Sequence, residues 1–96
     1  MSQRLIRTKF SSKKVSFLKS LNKPGSLTSE IIAYLATNPQ QTAAQIESAT
    51  GVKSFTKLRY STIAPTLKPY GYELSYEIKP GDVTPLWSIF KIKEEG

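Results

Sequence analysis

The chain has 96 residues, with 14 Lys and Arg against 7 Asp and Glu, and contains neither His nor Cys. That length holds one small domain with a single core. The missing residue types exclude disulfides, thiolate or imidazole metal sites, Cys nucleophiles and His acid–base catalysis, so the fold rests on packing.

Residues 1–10 read as a polar, basic arm whose large apolar residues are Leu5, Ile6 and Phe10. From Ser11 the spacing predicts a short helix. Ser11 or Ser12 caps it, and Val15, Phe17, Leu18 and Leu21 form a narrow apolar stripe. Lys23-Pro24-Gly25 ends it. A second helix starts near Leu27, capped by Ser26 or Thr28, with Glu30 at the positive end of its dipole. Leu27, Ile31, Tyr34 and Leu35 share one face, and Asn38-Pro39 stops it. Thr42 and Gln45 have capping-box spacing for a third helix, with Ile46 and Ala49 expected to face inward. Gly51 stands where a helix C-terminus takes a left-handed residue, and Val52 follows as a core plug.

Residues 53–70 leave two frames open. A helix from Phe55, capped by Ser54, would be ended or kinked by Pro65. A helix from Ser61 or Thr62 would instead place Pro65 in its first turn, where the missing N–H costs nothing. Tyr60, Ile63, Leu67 and Tyr70 keep helical spacing across the proline. Beyond it, Tyr72, Leu74, Tyr76 and Ile78 alternate with polar residues as in a half-buried strand. Pro80 to Pro85 is a turn, and Leu86 to Lys93 a second strand, making an antiparallel hairpin. Glu73 and Glu77 on one strand and Lys91 and Lys93 on the other suggest cross-strand ion pairs.

The order of elements resembles a winged helix-turn-helix over residues 26–93. Around Gly51, Ile46 and Val52 match the apolar positions of helix-turn-helix sequences, whereas Glu47 stands where Ala is usual. Thr62-Ile63-Ala64-Pro65-Thr66-Leu67-Lys68 is similar to the reading helix of PadR-type repressors, with Ala64 in place of the usual aromatic. Phe90 to Gly96 is similar to the end of their wing. The resemblance implies an α+β fold of three helices plus a C-terminal hairpin wing at 26–96, with residues 1–25 as a basic arm and short helix. It also implies a reading helix in the major groove of DNA.

The charge is uneven. Residues 1–29 carry +7 with no acid, residues 53–68 carry +4 with no acid, and the segments 30–52 and 69–96 are each −2. Two basic blocks suit a polyanion, above all nucleic acid. Residues 54–68 are expected to read bases. Lys57, Arg59 and Lys68 supply cations there, with Lys53 just before them, and Thr56, Ser61, Thr62 and Thr66 supply short hydroxyls. Arg59, Tyr60, Ser61 and Thr62 stay near the groove-facing end in either frame. Arg4, Arg7 and Lys9 on the arm, with Lys13 and Lys14 on the leading helix, are expected to contact phosphates or enter a minor groove. The wing, with Lys79 and Asp82 near its tip, offers little to a backbone.

The leading expectation is a double-stranded-DNA-binding, non-enzymatic transcriptional regulator. A plasmid or phage partition or replication-control protein, or a protein-interaction module on the same scaffold, stand as alternatives. No cofactor, metal, small-molecule effector or membrane partner is expected. The absence of an apolar run long enough for a span or a signal h-region points to a cytoplasmic, nucleoid-associated protein. The apolar stripe of residues 11–22 has two uses open to it: packing on the core, or pairing two chains into a homodimer.

Overall fold

The computed structural model describes residues 2–7, 10–23 and 25–95, with the backbone alone for Ser2, Gln3, Arg7, Glu94 and Glu95. Strand β1 (Ser2–Arg7) leads into helices α1 (Ser12–Lys19), α2 (Leu27–Thr37) and α3 (Ala43–Thr50). A fourth helical run, α4 (residues 55–67), precedes strands β2 (Tyr72–Glu77) and β3 (Leu86–Glu95). The architecture is therefore α+β, with four helices and a three-stranded antiparallel sheet in the order β1-β3-β2.

Two departures from the sequence reading concern the N-terminus. The helix count is four rather than three, because α1 belongs to the common core. Its Leu18 is buried, with Val15 and Leu21 packed beside it. The apolar stripe is thus spent on packing within the chain. Phe17 lies outside the core and meets Tyr70 edge-on at 5.6 Å between ring centroids. Residues 2–7 form no free arm either, since they pair with β3 in register from Ser2↔Glu95 to Arg7↔Phe90. A polar strand such as this is held by the ladder hydrogen bonds it completes on its neighbour.

Local chemistry sets the helix starts. The Ser11 hydroxyl accepts from the Lys14 amide at 3.2 Å, and the Ser26 hydroxyl accepts from the Ser29 amide at 3.2 Å. At α3 the capping box is complete. The Gln45 amide donates to Thr42 Oγ1 at 3.1 Å, and the Thr42 amide donates to Gln45 Oε1 at 2.9 Å. Gly51 closes α3 at φ 77°, a left-handed conformation that disfavours a Cβ.

The core gathers Ile31, Ile32 and Leu35 of α2, Ile46, Val52, Phe55, Ile63 and Leu67, against Tyr72, Leu74, Trp87 and Ile89 of the sheet. Ala49 and Leu27 are exposed, contrary to the expected faces. Both sit near helix ends, where the helix leaves its neighbours. Two buried hydroxyls knit elements together. Ser29 Oγ donates to the Lys19 carbonyl at 2.8 Å, so it satisfies an orphan acceptor at the end of α1. Ser88, wholly buried, accepts from the Gln40 amide at 2.8 Å. Gln40 is the only described non-glycine residue with positive φ, at 59°. Next to it, Gln41 and Trp87 exchange two backbone hydrogen bonds of 3.0 and 2.7 Å, an isolated antiparallel bridge.

The hairpin register corrects one expectation. Glu73 lies opposite Phe90 and Glu77 opposite Leu86, whereas Lys91 lies opposite Tyr72. Side chains alternate between faces. Glu73 and Glu77 therefore occupy the outer face, and Lys91 and Lys93 the face that carries Trp87 and Ile89. The expected cross-strand ion pairs are ruled out by parity.

Replacing Ser88 by Ala leaves the Gln40 amide without its acceptor. The expected loss is about 1 kcal/mol of unfolding free energy, read as a lower urea midpoint at unchanged slope.

Candidate nucleic-acid interface

Four residues, 51–54, turn the chain from α3 into α4. The turn is held from both sides. The Gly51 amide donates to the Glu47 carbonyl at 2.9 Å, and the Val52 amide donates to Thr50 Oγ1 at 3.4 Å while Val52 plugs the core. The start of α4 is capped from another helix. Ser54 makes no side-chain cap, and the Phe55 amide donates instead to Glu47 Oε2 at 3.1 Å. Glu47, the residue that departs from the helix-turn-helix pattern, thus supplies a carboxylate at the positive end of α4.

The helical run starts at Phe55, as in the first sequence frame, and continues through Pro65 with no separate start at Ser61 or Thr62. An α turn, Phe55–Leu58, passes into a π turn, Arg59–Ile63, and then into a second α turn, Ala64–Leu67. In the π turn the Ala64 amide reaches the Arg59 carbonyl, five residues back. Pro65 then falls in the first turn of the following segment. The wider turn absorbs a proline that has no N–H to give and whose ring would press on the preceding turn. Two hydroxyls fold back onto the helix: Ser61 Oγ donates to the Lys57 carbonyl at 2.6 Å, and Thr66 Oγ1 to the Thr62 carbonyl at 2.7 Å.

The predicted reading residues divide accordingly. Lys53, Thr56, Lys57, Tyr60 and Ser61 are exposed around the N-terminal half of α4. Thr62 and Thr66 are half-buried. Lys68 is exposed but begins the closing 3₁₀ turn, Lys68–Tyr70. Eleven residues of helix at about 1.5 Å each put it roughly 16 Å from Lys57. It is therefore not part of the same cluster.

Arg59 does not present a free fork. Its guanidinium carbon lies 4.9 Å from the Tyr60 ring centroid and 5.0 Å from that of Trp87, and its Nε is buried without a hydrogen-bond partner. The cation is held by ring faces. Phe55 and Tyr76 also meet Trp87, at 5.4 and 5.0 Å, so the aromatic cluster joins α4 to the hairpin. Tyr60 and Tyr76 are both substantially exposed, at 57% and 46%, and flank the buried Trp87. Tyr76 was not singled out from the sequence, where its alternation with polar residues read as an ordinary core position.

The remaining predicted cations lie elsewhere. Arg4 sits on β1 opposite Lys93 of β3, and Lys13 and Lys14 are exposed on α1. The side chain of Arg7 and all of Lys9 lie outside the described residues. The hairpin tip is a tight turn with Pro80 and Gly81 at its centre, Gly81 at φ 82°, closed by the Asp82 amide donating to the Lys79 carbonyl at 2.9 Å. It exposes two large apolar side chains, Ile78 at 50% and Val83 at 87%, beside Lys79 and Asp82. Among the described residues no helix is long and apolar enough to cross a membrane.

No family model matches the chain, and no curated protein or solved structure shows significant similarity to it.

Two substitutions separate the parts of this surface. Glu47→Ala is expected to cost about 0.5–2 kcal/mol and to speed hydrogen exchange at the Phe55 amide before other core amides. Arg59→Ala is expected to lower stability by about 1 kcal/mol in urea unfolding, through lost contact with Trp87 and Tyr60. Lysine at the same position, without the planar group, should recover less than half of that loss.

Proposed function

We propose that the chain is a small sequence-specific regulator that binds double-stranded DNA on a winged helix-turn-helix scaffold, with the N-terminal half of α4 in the major groove. One observation carries this reading. After the Gly51 turn, the exposed start of α4 carries Lys53, Thr56, Lys57, Tyr60 and Ser61. Two ammonium groups, short hydroxyls and a phenol suit a groove whose walls are phosphates and whose floor offers acceptors and donors. The order of elements supports it. α2, the Gln41 bridge, α3, α4 and the β2–β3 hairpin follow one another as a winged helix requires, with the bridge in the place of a short first strand.

In this reading Lys53 and Lys57 take phosphates at the groove edge, and Tyr60 and Ser61 meet base edges. Arg59 is a positioning residue that keeps Tyr60 and the hairpin in fixed relation through Trp87. A non-enzymatic, nucleoid-associated role follows from the same reading. A homodimer through residues 11–22 is not part of it, because that stripe packs inside the chain.

The two exposed apolar side chains of the hairpin tip favour a second reading, in which Val83 and Ile78 dock on a protein partner. The two are separated by salt. Duplex binding through about six phosphate contacts gives a log–log slope of affinity against salt near −5. Lys57→Ala should flatten that slope by about one and weaken all sequences alike, whereas Ser61→Ala should cost affinity on a selected site and leave random duplex unchanged. Anisotropy titration at three or more salt concentrations measures both. Absence of salt-sensitive duplex binding at about 50 mM salt defeats the DNA reading and leaves the protein-partner reading in place.

A further inference from the structure

The start of α4 and the hairpin tip share one end of the molecule. Trp87, the second residue of β3, takes the Phe55 ring from the first turn of α4 at 5.4 Å and the Tyr60 ring at 6.2 Å. Tyr76 faces Trp87 across the hairpin, with the rings 5.0 Å apart. One strand pair further, at Glu77↔Leu86, the sheet ends and the tip begins. The chain from Tyr76 to Pro80 rises about 3.3 Å per residue, which carries the tip about 13 Å beyond Trp87. Exposed Tyr60, buried Trp87 and exposed Tyr76 thus join the reading half of α4 to the tip. The whole span is about 20 Å, close to the half helical turn of about 17 Å that separates a major groove from the minor groove beside it.

The tip holds apolar side chains in water on a stiff frame. Lys79 and Asp82 close the turn around Pro80 and Gly81 through the bond of 2.9 Å from the Asp82 amide to the Lys79 carbonyl. Proline fixes one φ of this turn, and Gly81 supplies the positive φ of 82° that its other centre needs. Asp82 Oδ1 accepts from the Val83 amide at 2.9 Å, which turns the carboxylate back onto its own loop. Val83 and Ile78 stand exposed on this frame. Residues 78–85 contain one cation and one acid, so charge does not equip them to clamp phosphates. Exposed apolar groups are stabilised by leaving water, and the stacked interior of a duplex takes them. Apolar side chains that enter by the minor groove wedge between base pairs and kink the helix. A stiff frame keeps the ordering cost of such an insertion low.

We propose that the hairpin tip is an apolar wedge: Val83, backed by Ile78, opens a base step in the minor groove next to α4 and bends the duplex. The proposal rests on the reading of α4 as the duplex site. Continuity through Tyr60, Trp87 and Tyr76 assigns the tip to the same ligand as α4. The wedge also adds to sequence choice. Pyrimidine–purine steps unstack most easily, so one such step becomes part of the target. It lies half a turn, about five base pairs, from the bases met by Tyr60 and Ser61.

The test uses the full chain and a duplex of about three helical turns selected for binding. Dyes at its two ends report bending by energy transfer, and 2-aminopurine in place of each adenine in turn reports unstacking. The unaltered protein is expected to bring the ends closer and to brighten the probe at one pyrimidine–purine step. Ile78→Ser/Val83→Ser should abolish both signals and weaken binding to this duplex about fivefold, with affinity for random duplex held within about twofold. Ile78→Leu/Val83→Leu keeps the apolar wedge and should keep both signals, which separates the wedge from any loss of folding. A duplex that is bound but neither bent nor brightened overturns the wedge. So do signals that survive in the serine variant. In both cases salt-sensitive binding that Lys57→Ala flattens keeps the α4 reading and leaves the tip to a protein partner. Failure of the unaltered protein to bind any duplex defeats the α4 reading and the wedge with it.

Discussion

Trp87 sets the position of α4. Its backbone is tied to Gln41 by two hydrogen bonds, and so holds the link between α2 and α3 to the middle strand. Its ring, almost wholly buried, takes the edge of Phe55 from the first turn of α4 and packs on Tyr76 of β2 and Arg59 of the π turn. Aromatic contacts of this kind add to burial by about 0.5–1.5 kcal/mol each and fix relative angle as well as distance. The orientation of α4 against the hairpin therefore depends on one side chain. The start of α4 is set by the Glu47 carboxylate, and its middle by the π turn that accommodates Pro65.

These constraints explain which features were legible in the sequence. Caps are local, three residues across, so Ser11, Ser26 and the Thr42–Gln45 box stood out by spacing alone. Gly51 was legible for the same reason. β1 was not, because its partner lies at the other end of the chain and its own residues are mostly polar. Its alternation of Gln3, Leu5 and Arg7 with Arg4 and Ile6 gives no apolar face, and only the ladder with β3 makes it a strand. Lys91 and Lys93 were misread because the sign of a cross-strand argument depends on register. A shift of one residue moves every side chain to the opposite face, and register is set by the geometry of the Pro80-Gly81 turn.

The candidate site was legible in its location and less so in its composition. The basic, acid-free block at 53–68 marked α4, and its N-terminal half carries exposed Lys57, Tyr60 and Ser61 as expected. Arg59 was misjudged because an arginine next to a tyrosine reads as an exposed cation until a tryptophan from a distant strand is placed beneath it. The hydroxyls of Ser61 and Thr66 serve the helix itself, each bonded to a carbonyl four residues back. Such back-bonding is available to any Ser or Thr in a helix, and a π turn followed by a proline gives it more to do. Ser61 keeps its exposure while doing so, whereas Thr66 is half-buried.

Segment charge conceals how the fold sorts its ions. Residues 69–96 are net acidic, which suggests a C-terminal half that repels a polyanion. The sheet sorts part of these ions by face. Alternation sends Glu73 and Glu77 to one face, and Lys91 and Lys93 to the other, beside Arg4. The basic excess of the N-terminus is thereby extended by two lysines from a segment whose sum is negative. The hairpin tip carries one exposed cation and one exposed acid, Lys79 and Asp82, and adds no net charge. The exposed cations Lys53 and Lys57 lie at the start of α4, and Arg4, Lys91 and Lys93 lie toward the end of the sheet away from the hairpin tip.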